Sequence, residues 1–230
     1  MTICIANVCE GGKAVISTSD HKVTIGSISA EGVGRKESVI TDKWTVLVAG
    51  DDMTHARPIV TRIKEIVKKG DGSVGALAAA LGDAYDERLQ LQIEAKYLKR
   101  FAMTIEDFRD HGKEKLSATL YDQIVSQISQ ETLRCQFLVC GFEDNNPDEG
   151  HIICLDEDGA PGIYDDVGFW AIGSGAPLAL SSLAFHANQS GLNRHTTLEQ
   201  SIYRITKKVS RPTNGLDSAI NLASNKSMIT

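Results

Sequence analysis

Along the first fifty positions apolar residues come in short β-branched runs separated by polar turns, the spacing expected of strands. Residues 2–8 form one run, Glu10, Gly11, Gly12 and Lys13 supply a turn, and residues 14–19 return, which predicts a hairpin. A polar, Gly-punctuated stretch follows over 21–34. Strands are then expected over 38–40 and 44–50, joined by a turn at Thr41, Asp42 and Lys43. Four strands in so short a span predict an antiparallel sheet at the front of the fold.

After Gly50 the period changes. Ile59, Ile63, Ile66 and Val67 recur at helical spacing, and Lys68, Lys69 and Gly70 close the pattern, so a helix is expected over about 54–69. Ser73 is a candidate N-cap for a long second helix over about 74–101, Ala-rich at its start and of mixed charge later. Leu116, Leu120, Ile124 and Ile128 mark a further amphipathic stretch within 104–130. Strands resume over 134–142 and 151–155 around a loop of Asp, Asn, Glu and Pro, a second hairpin. A turn at 156–159 leads to a strand within 168–175 that ends in the Gly-flanked Ser174. Helices over 176–189 and 197–210 and a short last strand at 227–230 complete the expectation.

The order strands, helices, strands, helices predicts an α+β fold, a four-layer αββα sandwich of two antiparallel sheets flanked by helices. No linker-like stretch divides the chain, so residues 1–230 are expected to form one domain with an extended helical region at about 70–132.

Composition narrows the partners. With 42% hydrophobic and 23% charged residues, 230 residues suffice for a sizeable core. A net charge of -6, with Lys and Arg scattered among acids, offers no basic stripe for a phosphate backbone, so nucleic acid is not an expected partner. The five cysteines (Cys4, Cys9, Cys135, Cys140, Cys154) contain no Cys-x-x-Cys pair, which points to buried reduced thiols and not to zinc. No apolar run approaches the roughly 18 residues of a membrane span, and no secretory pattern opens the chain. A cytoplasmic protein that needs no membrane is expected.

Candidate chemistry starts at Thr2. Once Met1 is removed, this residue carries a hydroxyl and a free amine, a nucleophile and a base together; otherwise it is an ordinary threonine at a strand start. Asp20 ends the return strand and Lys36 follows about fifteen residues later. A lysine beside a hydroxyl favours its deprotonated form, and an aspartate holds the lysine oriented. Each alone reads equally as a surface charge, and Arg35 leaves the basic partner open by one position. Gly50 offers a backbone N–H for an oxyanion, or only a strand-to-helix turn. Ser174 is placed to hydrogen-bond the amine or to cap the following helix.

Taken together, the segments opening at Thr2 and ending at Asp20, the Lys36 region, the strand ending at Gly50, the run 137–142 and Ala171 to Pro177 around Ser174 resemble, in order, elements of proteasome β subunits and their bacterial relatives. The similarity covers about 1–65 and 134–210. It implies an N-terminal nucleophile (Ntn) hydrolase. In that family the Thr hydroxyl attacks a peptide carbonyl, its own amine serves as base, and an ester is hydrolysed. By position Thr2 matches the nucleophile, Asp20 and Lys36 the supporting pair, Gly50 the oxyanion amide and Ser174 the serine near the amine. The resemblance further implies subunits assembled into homo-oligomeric rings acting on peptides or unfolded protein, with no cofactor and no metal; it identifies no ATPase or cap partner.

Three features depart from the family pattern. The helical sequence at 70–132 is longer, Asp217 and Ser218 do not align cleanly with the family's late aspartate and serine, and exposure of the Thr2 amine depends on removal of Met1. A catalytically inactive assembly subunit of the same fold is therefore the alternative, and an amidase for a small non-peptide amide is a third reading.

Overall fold

In the computed structural model the described residues are 2–20, 22–25, 28–31, 36–68, 72–190, 197, 200 and 219–224. Strands β1 (Cys4–Cys9) and β2 (Ala14–Ser19) form the expected hairpin, registered from Cys4 opposite Ser19 to Cys9 opposite Ala14. A separate two-stranded ribbon, β3 (Lys22–Ile25) with β4 (Ile28–Glu31), follows. Within the polar, Gly-punctuated stretch no strand was expected; these two form because Val23, Thr24 and Ile25 favour extended backbone on one side of a glycine and Ile28 does so on the other.

The next strands belong to a different sheet. β5 (Glu37–Val39) and β6 (Trp44–Gly50) pair with each other, β6 pairs with β7 (Cys135–Phe142), β7 with β8 (Gly150–Leu155), and β8 with β9 (Pro161–Ile163). The early strands thus divide between two sheets instead of forming one. β9 was not foreseen, since it is three residues long and opens on proline, which a sheet tolerates only at its edge. β10 (Phe169–Ile172) joins the free side of β1 and β11 (Ala219–Ser224) that of β2. The result is one sheet ordered β10-β1-β2-β11 and one ordered β5-β6-β7-β8-β9, every pairing antiparallel.

Alternation assigns the faces. Cys4, Ala6, Val8 and Val15 from the first sheet meet Leu47, Leu138, Cys140, Ile152 and Cys154 from the second in one apolar cluster. The opposite residues of the first sheet, including Ile3, Ile5 and Ile16, pack under α5 (Ala176–Ser190). Those of the second, including Val46, Val48, Phe137 and Val139, pack under α1 (Ala56–Val67) and α2 (Val74–Ile93). Both faces of each sheet are covered, which is why the central strands read as continuous apolar runs and not as apolar-polar alternation. The chain is therefore α+β, with two antiparallel sheets layered between helices. All five cysteines are buried and none forms a disulfide.

Ser73 caps α2 as expected, its hydroxyl accepting from Ala76 N–H. The helix ends earlier than its pattern suggests: at Glu94–Leu98 it widens into a π turn and at Lys99–Phe101 it tightens into a 3-10 turn. The amphipathic stretch beyond is two helices, α3 (Ile105–Lys115) and α4 (Ala118–Ile128), separated where Leu116 turns extended. These segments enclose an apolar centre of their own around Ile93, Leu98, Met103, Phe108 and Ile124. Glu131 fastens the unit to α2, accepting from Gln92 at 2.6 Å, Lys96 at 2.7 Å and the Tyr97 hydroxyl. Among the described residues no helix is long and apolar enough to cross a membrane. Apart from residues 197 and 200, the expected helix at 197–210 lies outside the described residues, as do the last strand at 227–230, Met1, Arg35, Asp217 and Ser218.

Candidate active site

The β1–β2 register sets Cys4 opposite Ser19, so the residues one step further out, Ile3 and Asp20, come together at the same end of the hairpin. They fasten each other: Asp20 N–H donates to Ile3 O at 3.1 Å, and Ile3 N–H donates to Asp20 Oδ1 at 3.2 Å. Asp20 is thereby aimed at the position of Thr2. Lys36 arrives from the other sheet. Its carbonyl accepts from Val48 N–H at 2.7 Å, extending the β5–β6 ladder by one residue. From there Nζ donates to Asp20 Oδ1 at 2.6 Å and to Thr2 Oγ1 at 3.2 Å.

Lys36 and Asp20 are nearly inaccessible, at 6% and 7% exposed. Burying a lone charge is costly, and contact at 2.6 Å lets each compensate the other. The third partner decides the chemistry. A cation donating to a hydroxyl oxygen stabilises the alkoxide that forms as the proton leaves. The nearby Cys4 is no rival nucleophile: its thiol lies 3.7 Å from Val48 O, and burial, against the pull of the Lys36 charge, pushes its pKa up to about 12.

The second half of the site is the turn between β10 and α5. β10 pairs Ile172 with Cys4, which carries Gly173, Ser174 and Gly175 past the start of β1. Gly175 N–H donates to Thr2 O at 3.0 Å, and Thr2 N–H donates to Ser174 Oγ at 2.9 Å. Ser174 therefore serves the nitrogen of Thr2, while the cap position of α5 falls at Gly175, whose carbonyl accepts from Ala179 N–H. Gly173 is required there, with φ at +94° and its would-be Cβ 2.5 Å from Thr2 O.

Gly50 closes β6 opposite Cys135. Its φ is +149°, and a Cβ would lie 2.3 Å from Arg134 O, the oxygen that also accepts from Asp51 and Asp52 N–H. N–H groups alternate along a strand. Since Val48 N–H points to Lys36, that of Gly50 is turned to the same side of β6.

The structure thus brings four of the sequence-derived residues, Thr2, Asp20, Lys36 and Ser174, into one hydrogen-bonded group. Gly50 stands on the adjoining strand end. The residue at the group's basic position is Lys36. One further residue acts on the group without any local sequence signal: Gln136, near the start of β7, accepts from Gly173 N–H at 2.8 Å. Chemically, the arrangement presents a hydroxyl between an ammonium and its own residue's nitrogen. If that nitrogen is an amine it can take the hydroxyl proton; if it is acylated it cannot. No family model and no curated protein matches the chain.

Proposed function

We propose that this chain is a threonine peptidase of the proteasome-like Ntn-hydrolase superfamily, acting as a subunit of a self-compartmentalised ring. Thr2 is the nucleophile once removal of Met1 frees its amine. The hydroxyl attacks the substrate carbonyl as its proton passes to the amine, directly or through water. Lys36, oriented by Asp20, stabilises the developing alkoxide, Ser174 steadies the amine, and Gly50 N–H receives the oxyanion. The amine then protonates the departing nitrogen, and water hydrolyses the resulting ester. Rings of such subunits admit peptides or unfolded chains to an enclosed site.

The observation that carries this reading is the position of Thr2 Oγ1, 3.2 Å from a buried lysine that is itself 2.6 Å from a buried aspartate, with Ser174 Oγ at 2.9 Å from the same residue's nitrogen. A surface threonine has no use for such company. Thr2→Ala is expected to abolish peptide hydrolysis and covalent labelling by an epoxyketone or boronate. Unchanged hydrolysis in that variant overturns the nucleophile. The intact mass of the assembled protein separates the enzyme from the silent assembly subunit, since retention of Met1 acylates the base. Native mass spectrometry separates it from a small-amide hydrolase, which needs no ring.

A further inference from the structure

We infer that Gln136 is a positioning residue that sets the Ser174 hydroxyl against the nitrogen of Thr2, an inference that rests on the peptidase reading above. Gln136 lies on β7 opposite Ala49, one residue after the partner of Gly50. By alternation with Leu138 and Cys140 its side chain faces the space between the two sheets. There it makes two hydrogen bonds of opposite polarity: Oε1 accepts from Gly173 N–H at 2.8 Å and Nε2 donates to Asp156 Oδ1 at 3.1 Å. Only this orientation of the amide satisfies a donor on one side and a carboxylate on the other. The five-stranded sheet thereby reaches across to hold the turn that leaves the four-stranded one.

Beyond the β1–β10 ladder that ends at Ile172 and the bond from Ala176 N–H to Gly173 O at 2.9 Å, the turn is held among the described residues by its contacts with Thr2 and Gln136. Gly175 N–H is tied to Thr2 O at 3.0 Å, Gly173 N–H to Gln136, and Ser174 between them receives Thr2 N–H at 2.9 Å. Thr2 cannot serve as the independent reference, because it is the residue being positioned. The fixed point is Gln136, seated in a central strand and oriented by Asp156. Loss of its acceptor leaves Gly173 N–H without this partner and lets the turn tilt. The Ser174 contact then lengthens while the Lys36–Asp20 pair, anchored elsewhere, stays in place.

Two variants test this. Gln136→Met keeps the volume and removes both polar ends. It is expected to lower kcat on the order of tenfold to a hundredfold, the scale of an ångström-level misplacement, with KM, ring assembly and melting temperature close to the parent's. Gln136→Glu keeps the acceptor and faces the Asp156 carboxylate with a second one. The titratable groups around this position are Asp156, the Cys154 thiol 3.8 Å from the same oxygen, and Asp158 and Tyr164, which interact with them by charge. Once protonated, the introduced carboxyl can donate to Asp156 and accept from Gly173 as the amide does. The ratio of Gln136→Glu to parent kcat should therefore rise as pH falls, a response that loss of packing alone does not produce. A parent-like kcat in Gln136→Met, or a ratio flat with pH in Gln136→Glu, overturns the inference. If Gln136→Met fails to fold, the Gln136→Glu profile decides alone. Failure of the underlying reading is recognised separately, by hydrolysis surviving Thr2→Ala.

Discussion

Gly173 has no room for a side chain because the carbonyl oxygen of Thr2 occupies it: a Cβ would stand 2.5 Å from that oxygen, on a backbone with φ at +94°. The first residue of the site and the turn that serves it are packed closely, and Gly175 N–H ties them through the same oxygen at 3.0 Å. Gly173→Ala is expected to cost about 1–3 kcal/mol for the strained backbone and to displace Thr2 besides. Chemical denaturation reads the first effect, and the rate of covalent labelling at Thr2 reads the second. Normal labelling at parent stability contradicts the contact.

The Lys36–Asp20 pair at 2.6 Å couples stability to chemistry. Removing either partner strands a buried charge, so Lys36→Met or Asp20→Leu alone should cost about 3–5 kcal/mol. The double variant should recover a large part of that loss, since no charge is left unpaired, while hydrolysis stays abolished. A double-mutant cycle on denaturation midpoints measures the coupling. Additive single costs would mean that the pair is not an electrostatic unit.

His151 carries a pH signature outside the site. Its Nδ1 is 2.6 Å from Asp165 Oδ2, and Asp165 Oδ1 accepts from Ile152 N–H at 2.8 Å. Burial opposes charge on the ring, but the hydrogen bond to Asp165 and the charges of Asp165, Glu143 and Glu149 outweigh it and raise the pKa above 6.5. A raised folded-state value means that the stabilisation is complete below 6.5 and is lost as pH climbs through the folded value. The denaturation midpoint should fall across that window in the parent and stay flatter there in Asp165→Asn. His55, whose pKa burial lowers, acts only below 6.5 and does not confuse the measurement.

Asn7 sits in the middle of β1, opposite Phe169 and Ile16, fully buried with neither amide atom paired among the described residues. By alternation it points with Ile5 and Cys9 into the apolar layer under α5. Asn7→Leu, which keeps the branching of the side chain, should therefore stabilise the protein by about 1–3 kcal/mol, seen as a higher midpoint at unchanged denaturant slope. A lower midpoint would mean that the amide is satisfied in solution.

What the sequence made legible follows from range. The β1–β2 hairpin needed only two apolar runs and a Gly-rich turn, and Ser73 announced α2 by type and place. The division of the early strands between two sheets was not legible: β5 and β6 look no different from β1 and β2, and their assignment depends on β7, about ninety residues away. The break at Leu116 was hidden because a Leu-x-x-x-Leu pattern continues through it. Within the site, Thr2, Asp20, Lys36 and Ser174 each stand at an element boundary, where a chemically distinctive side chain interrupts an apolar run. Gln136 follows the first residue of a strand, where a glutamine carries no message until its partners are known.

The contact between Thr2 and Ser174 spans 172 positions, while those that join Lys36 to Thr2 and to Asp20 span 34 and 16. The ammonium can meet the hydroxyl early in synthesis, but the nitrogen acquires its partner only after three quarters of the chain has been made and β10 has docked. A nascent or truncated chain ending before residue 174 holds Thr2, Asp20 and Lys36 but lacks the partner of the Thr2 nitrogen. Completion of the site therefore waits on β10 and the turn that follows it, and so comes late in synthesis, ahead only of α5 and β11 among the described elements.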